Sequence, residues 1–176
     1  MSPDLSSRLA FGTYEEALRM VGAKSEPRTA STAVSAARIQ LFASMVRDAD
    51  PAYWDGEFAR RRWGGLLAPP ALLIGWLIAL PWEPGGGAPG SSIALRVPLP
   101  GTTFINASND VEFLEPIVEG DLLTVVDELV SVSPEKRTRL GAGHFVETLE
   151  TYSRRDQTVV AESRNTLFRF TPGASD

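Results

Sequence analysis

Leu66 to Trp82 is a run of 17 uncharged residues, and no other segment restricts the fold of this chain as strongly. Its length invites a membrane span, but Pro69-Pro70 stands near its start and Pro81 near its end. About 12 residues remain between them, or roughly 18 Å at 1.5 Å per residue, short of a bilayer core. A central helix over about 69–80, buried on nearly all sides, accounts for the run instead. Prolines are tolerated in a first helical turn, and Leu72, Leu73, Ile74, Trp76, Leu77, Ile78 and Leu80 leave no polar face. Such a helix needs something wrapped around it.

The downstream chain supplies the wrapping. After the Gly/Pro-rich flexible loop Pro84 to Gly90, Ser92–Val97 and about 104–114, 121–133, 142–153 and 157–170 read as strands. Ser133-Pro134-Glu135-Lys136 and Arg154-Arg155-Asp156-Gln157 are hairpin turns, and Gly120-Asp121 is a turn before Leu122. Alternation along the strands is imperfect, as expected of a sheet that buries one face on the helix and part of the other in a partner.

Upstream, Thr13-Tyr14-Glu15-Glu16 has the form of a capping box and predicts a helix over about 13–21, ended near Gly22. Thr29 to Val34 suits a short strand or, equally, an extended loop. Ser35 to Arg47 places Ile39, Phe42, Ala43 and Val46 on one helical stripe, and Asp48-Ala49-Asp50-Pro51 stops that helix. The expected organisation is a tail at 1–12, one α+β domain over 13–171, and a tail at 172–176.

Composition narrows the function. The 176 residues suffice for one core, and the net charge of −5 disfavours coating nucleic-acid phosphates, so no nucleic-acid partner is expected. Without cysteine there is no disulfide framework, zinc cluster or thiol nucleophile, and a single histidine, His144, removes multi-histidine metal sites. No metal or cofactor is expected. Met1 to Ala10 holds no apolar run of the secretory kind, and the chain reads as cytoplasmic, with no membrane partner.

A long antiparallel sheet around one apolar helix describes the hotdog fold, and particular blocks sharpen that likeness. Asp48-Ala49-Asp50-Pro51-Ala52-Tyr53-Trp54-Asp55 is followed by Trp63-Gly64-Gly65-Leu66-Leu67-Ala68-Pro69-Pro70, then Pro100-Gly101-Thr102, Asn106, Asn109, Glu112-Phe113, Pro116 and Gly120-Asp121. Over roughly residues 13–170 the chain resembles the MaoC-like dehydratase N-terminal family, also called the fatty-acid-synthase-type dehydratase region.

That resemblance implies reversible hydration of a trans-2-enoyl thioester, of CoA or a carrier protein, to the (R)-3-hydroxyacyl thioester. Active members carry Asp-x-Asn-Pro-x-His, whose aspartate and histidine hold the water and manage its protons. Here Asp48 takes the aspartate position and Tyr53 stands in place of the histidine. A tyrosine with an ordinary pKa of about 10 is a poor base, so the dyad is broken. The resemblance therefore points to an accessory subunit that shapes the acyl tunnel and pairs with a hotdog partner carrying an intact Asp/His dyad. Two alternatives stand beside it: an autonomous homodimer of a specialised pathway, such as polyketide dehydration or cyclisation, using Asp48, Tyr53 or His144, and a non-catalytic acyl-CoA binding module.

Candidate substrate contacts are Trp54, Trp63, Gly65, Leu66, Ala68, Asn106, Asn109 and Arg62. The amides of Leu66, Leu67, Ala68 and Ala71 are candidates to hold a developing enolate at the start of the central helix. Each has a structural counter-reading. Asp48 and Asp50 suit turn chemistry, Tyr53, Trp54 and Trp63 suit core packing, Arg60-Arg61-Arg62 suits a solvated helix face, and His144 suits a buried strand position.

Overall fold

The computed structural model describes residues 9–80, 82, 84 and 92–173. Helix α1 (Tyr14–Leu18) starts at the capping box: the Glu16 amide donates to Thr13 Oγ1 at 3.2 Å, and the Thr13 amide donates to Glu16 Oε2 at 2.8 Å. Strand β1 is only Arg28–Thr29, so the extended-loop reading holds for Ala30 to Val34, whose amides at Ala30 and Val34 still reach Leu123 and Asp121 carbonyls. Helix α2 (Ala36–Val46) buries Ile39 and Ala43. Two short helices that the sequence reading missed follow, α3 (Pro51–Trp54) and α4 (Gly56–Trp63). Asp50 and Asp55 cap them, and Gly64 ends α4 at φ 93°, a conformation that costs glycine little.

The expected central helix over 69–80 does not form. Two 3₁₀ turns, Pro70–Leu72 and Ile74–Leu77, replace it, and the chain is extended at Ile78. From Pro70 to Leu80 only Leu73 and Trp76 are buried, while Ile74 and Ile78 are 52% and 69% exposed. The three-residue period of a 3₁₀ turn aligns i with i+3, which puts Leu73 and Trp76 on one side and turns the rest outward. Arg38 on α2 holds this geometry. Its guanidinium donates to the Gly75 carbonyl at 2.7 Å and lies 4.5 Å over the Trp76 ring.

A second correction concerns Ser92–Val97, expected as a strand. It is a one-turn helix, α5 (Ile93–Arg96), because Ser92 Oγ accepts from the Ala94 amide and Asp127 Oδ2 accepts from the Ile93 amide. The Gly/Pro-rich loop expected at Pro84 to Gly90 lies almost wholly outside the described residues.

Five further strands complete the sheet: β2 (Thr103–Phe113), β3 (Thr124–Val132), β4 (Lys136–Thr138), β5 (Gly141–Ser153) and β6 (Val159–Pro172). The order is β1-β3-β5-β6-β2, all antiparallel, with β4 folded onto the start of β5. Register irregularities at Asn106/Ser108 in β2 and Leu129/Ser131 in β3 place an extra residue in each strand. These bulges contribute to the broken alternation in the sequence, and they add to the curl of the sheet.

Two apolar clusters cover the concave face. One joins Ile39, Ala59, Leu66, Leu73 and Trp76 to Val125, Tyr152 and Ala161. The other joins Ala17 and the α5 residues Ile93 and Ala94 to Leu129, Val146 and Leu167. Among the described residues no helix is long and apolar enough to cross a membrane.

One charge ties the second cluster together. Arg169, fully buried, donates to the carbonyls of Gly101, Val97, Leu99 and Ala10 at 2.6–2.8 Å and lies 5.1 Å over the Phe11 ring. Leu9 to Gly12, placed in the tail by the sequence reading, are thereby anchored, and the Ala10 amide also donates to Leu95. Gly101 is required at this clamp, since a Cβ there would meet the Phe170 amide at 2.6 Å. Arg169→Met orphans four carbonyls, so a loss of about 3 kcal/mol or more is expected in urea unfolding, far above that of the exposed Arg139→Met.

Candidate functional site

The segment that carries the degenerate motif begins where α2 ends, at Arg47 in a left-handed conformation (φ 57°). Asp48 Oδ1 accepts from the Asp50 amide at 3.0 Å, Asp50 Oδ1 accepts from the Ala52 amide at 2.8 Å, and Trp54 Nε1 donates to the Asp48 carbonyl at 2.8 Å. Both carboxylates thus serve the turn through one oxygen each. Tyr53 packs half-buried against the first cluster. Burial, then the charges of Asp48 and Asp50, raise its pKa above the ordinary 10.0, so its hydroxyl stays protonated at neutral pH. It can donate a hydrogen bond. It cannot act as a resting base.

The sequence-predicted contacts divide among separate places. Trp54 and Asp48 border a groove of about 590 Å³ with Ser44, Arg47 and Asp55. Trp63 and Ala68 line a different, largely apolar cavity of about 320 Å³ with Pro69, Leu73, Trp76 and Phe113. Arg62 is exposed with its guanidinium 5.2 Å over Trp63, Leu66 is buried, and Gly65 sits in the turn after α4. Of the amides expected to face an enolate, that of Leu67 is spent on the Ala52 carbonyl (3.0 Å) and that of Ala68 on the Ile117 carbonyl (2.8 Å). With the central helix absent, no long helix dipole points there either, which leaves Leu66 and Ala71 as candidates.

His144 lies apart from this motif. Its Nδ1 is 2.9 Å from the Ser133 carbonyl, its ring stacks on Tyr14 with centroids 5.2 Å apart, and it is buried at the α1 side of the sheet. The strand reading of His144 as a structural residue is the one this geometry supports.

A group of residues, of which the sequence singled out only Asn109, crosses the concave face between the two clusters. Directly opposed residues of an antiparallel pair share a face. In one row Asp127 of β3 opposes Glu150 of β5, which opposes Ser163 of β6. In the next row Thr148 opposes Asn165, which opposes Asn109 of β2. Asp127, fully buried, is paired with Arg28 of β1 at 2.8 Å, Tyr152 donates to Glu150 Oε2 at 2.6 Å, and Ser163 donates to Asn109 Oδ1 at 2.6 Å. Burial of Glu150 raises its pKa, opposed by the Tyr152 hydrogen bond and reinforced by the Asp127 charge. Burial and the neighbouring Glu150 also push the Tyr152 hydroxyl far up. Polar residues at every second position of β5, Thr148 and Glu150, were the legible signal for this belt.

Residues 19–163 match the family of FAS1-like dehydratase domain regions. The chain belongs to that family. A curated relative of this dehydratase-region protein, described as a probable enoyl-CoA hydratase alpha subunit from Thermomonospora curvata, is 32% identical over 153 residues, 84% of the chain and 48% of the relative. The chain therefore spans about half the length of the curated relative it matches. Among solved structures, the ChsH1-ChsH2 complex from Mycobacterium tuberculosis includes a chain similar at TM-score 0.70 and 22% identity, covering 92% of this chain and 93% of that one. The MaoC-like dehydratase from Rhodospirillum rubrum is similar at TM-score 0.58 and 22% identity, covering 87% and 94%. These likenesses show the fold of the dehydratase-region chain, a hotdog of α+β class.

The Glu150 environment has a measurable consequence. A carboxyl whose folded pKa is raised costs stability once pH rises through its unfolded value, and the cost is complete above the folded one. The groups facing it are Asp127 from β3, Arg28 from β1, Ser163 from β6 and Tyr152 on its own strand. Glu150→Gln is expected to raise the Tm at neutral pH and leave it nearly unchanged below pH 4.5, the ordinary value, as read by thermal unfolding across pH.

Proposed function

We propose that this chain is the histidine-less subunit of an (R)-specific enoyl-thioester hydratase or dehydratase, completed by a hotdog partner that carries the aspartate–histidine dyad. Tyr53 carries the reading. Hydration needs a group that takes a proton from water near neutral pH, and a general base must hold that proton reversibly. At the position of the motif histidine this chain offers a phenol held protonated by burial and by two carboxylates. Membership of a dehydratase family combined with a site that lacks its base is the expected signature of an accessory subunit.

The surface supports a partner. From Asn106 to Phe113 every residue of the edge strand β2 is exposed, and β2 pairs only with β6 among the described strands. A long open edge of this kind is a template for another strand unless it is covered. Ile74 in the 3₁₀ stretch, Ile78 and Trp82 beyond it, and Val111, Phe113 and Leu114 near the end of β2 add exposed apolar area. The relative's description as an alpha subunit and the two-component character of the ChsH1-ChsH2 complex agree with pairing.

In this reading the substrate is an acyl thioester of CoA or a carrier protein, and this chain contributes walls rather than protons. The cavity between Trp63, Trp76 and Phe113 is apolar and, at about 320 Å³, of a size to take part of an acyl chain.

The test is hydration of a trans-2-enoyl-CoA by the purified chain alone and mixed with a dyad-bearing hotdog partner, with complex size followed alongside. Activity and a stable complex only in the mixture are expected, with Tyr53→Phe costing less than about tenfold, whereas loss of an acid–base group costs about a hundredfold or more. Activity of the chain alone that vanishes in Tyr53→Phe overturns the assignment and favours the autonomous homodimer. Binding of acyl-CoA with no hydration in any mixture favours the non-catalytic module.

A further inference from the structure

A tunnel for plain hydrocarbon is expected to be lined by hydrocarbon, because a polar group taken from water without a hydrogen bond costs about 1–3 kcal/mol by mutational data. The concave face of this sheet departs from that expectation at His144 and Arg169, which are bonded to backbone carbonyls, and again at mid-sheet. Above and below are the two apolar clusters, and between them lies the belt of Asp127, Thr148, Glu150, Ser163, Asn165 and Asn109.

At its inner end Asp127 is buried and bonded: it is paired with Arg28 and accepts from the Ile93 amide at 3.2 Å. Its middle is not so bonded. Thr148 is 0% exposed, and its Oγ1 has no hydrogen-bond partner among the described residues; the same holds for Oδ1 of Asn165, directly opposite on β6. Buried polar atoms are bonded in the large majority of cases, so two orphans facing each other across one strand pair call for a missing partner. Its outer end is less buried: Glu150 and Asn165 are half-buried, and Asn109 is exposed on β2, the same edge strand that the partner reading uses.

We propose that this belt is a binding site for an oxygen function, a hydroxyl or carbonyl, borne on the acyl group, so that the chain selects oxygenated acyl thioesters over plain hydrocarbon ones. The inference rests on the acyl-thioester reading and deepens it. A hydroxyl is both donor and acceptor, which matches an unpaired Thr148 hydroxyl beside an unpaired Asn165 carbonyl oxygen. Glu150 adds a carboxyl whose protonated form is favoured by burial and which can donate to a carbonyl or accept from a hydroxyl. The apolar clusters on either side take the hydrocarbon that flanks the oxygen. The belt's orphans are retained against stability, as expected where a group is kept for a ligand rather than for the fold.

The experiment is titration calorimetry of decanoyl-CoA and its mid-chain and terminal hydroxy analogues against the full chain, alone or in the complex that the hydration test returns, for wild type, Thr148→Val and Asn165→Leu. At least one hydroxy analogue is expected to bind about tenfold tighter than decanoyl-CoA, the equivalent of one well-made hydrogen bond, and each variant is expected to erase that preference while leaving decanoyl-CoA affinity unchanged. Thr148→Val is isosteric and removes an unsatisfied buried hydroxyl, so its Tm is expected to rise. Equal binding of all the thioesters overturns the inference and leaves the acyl-thioester reading intact. A Thr148→Val protein that is less stable, with all affinities lowered alike, assigns the belt to the fold and likewise overturns it. Binding of no thioester removes the acyl-thioester reading and the inference with it.

Discussion

On the concave face of the curled sheet, apolar burial and hydrogen bonding compete for the same side chains. Antiparallel strands of this length twist and, with bulges in β2 and β3, curl until one face becomes an interior that must be covered. A single long helix is the simplest cover. This chain has an apolar segment in the right place but begins it with Pro69-Pro70 and interrupts it with Gly75, whose carbonyl is taken by Arg38. The cover is therefore assembled from pieces: α2, α4 and the 3₁₀ turns over one end, α1 and α5 over the other.

A cover made of pieces needs fastening, and the fastenings are polar. Asp127 holds Arg28 of the first strand and the first amide of α5, while Arg169 gathers four carbonyls from the N-terminal segment and the connection after α5. Both side chains point into the interior from the sheet itself. A charge that is fully buried is costly unless its bonding capacity is used, and Arg169 uses the geometry of its guanidinium fork to do so without a carboxylate. The same logic leaves Thr148 and Asn165 conspicuous, because they share this interior without partners.

Catalytic capacity and surface follow from the same assembly. Asp48 and Asp50 each give one oxygen to the turn that joins α2 to α3, and burial together with these two charges keeps the phenol at Tyr53 protonated beside them. Beside it stand an apolar cavity walled by Trp63 and Trp76, a polar belt across the sheet, and an edge strand open along most of its length.

The sequence determined the strands at 104–114, 121–133, 142–153 and 157–170 to within a few residues, the capped helix at Thr13, the helix over 36–46 and the hotdog class, because alternation, capping boxes and turn residues are local signals. The resemblance also set Tyr53 against the histidine of the family motif, a comparison that needs no coordinates. The tertiary structure decided the rest. Helix and 3₁₀ turn read alike in an apolar run, and only the position of Arg38 against Gly75 and Trp76 separates them. Ser92–Val97 became a helix because Asp127, 34 residues away, accepts from its first amide. The polar belt was legible only in Asn109 and in the alternation of Thr148 and Glu150: Asn109, Glu150 and Ser163 meet through strand register, and register is a property of the folded sheet rather than of any one segment.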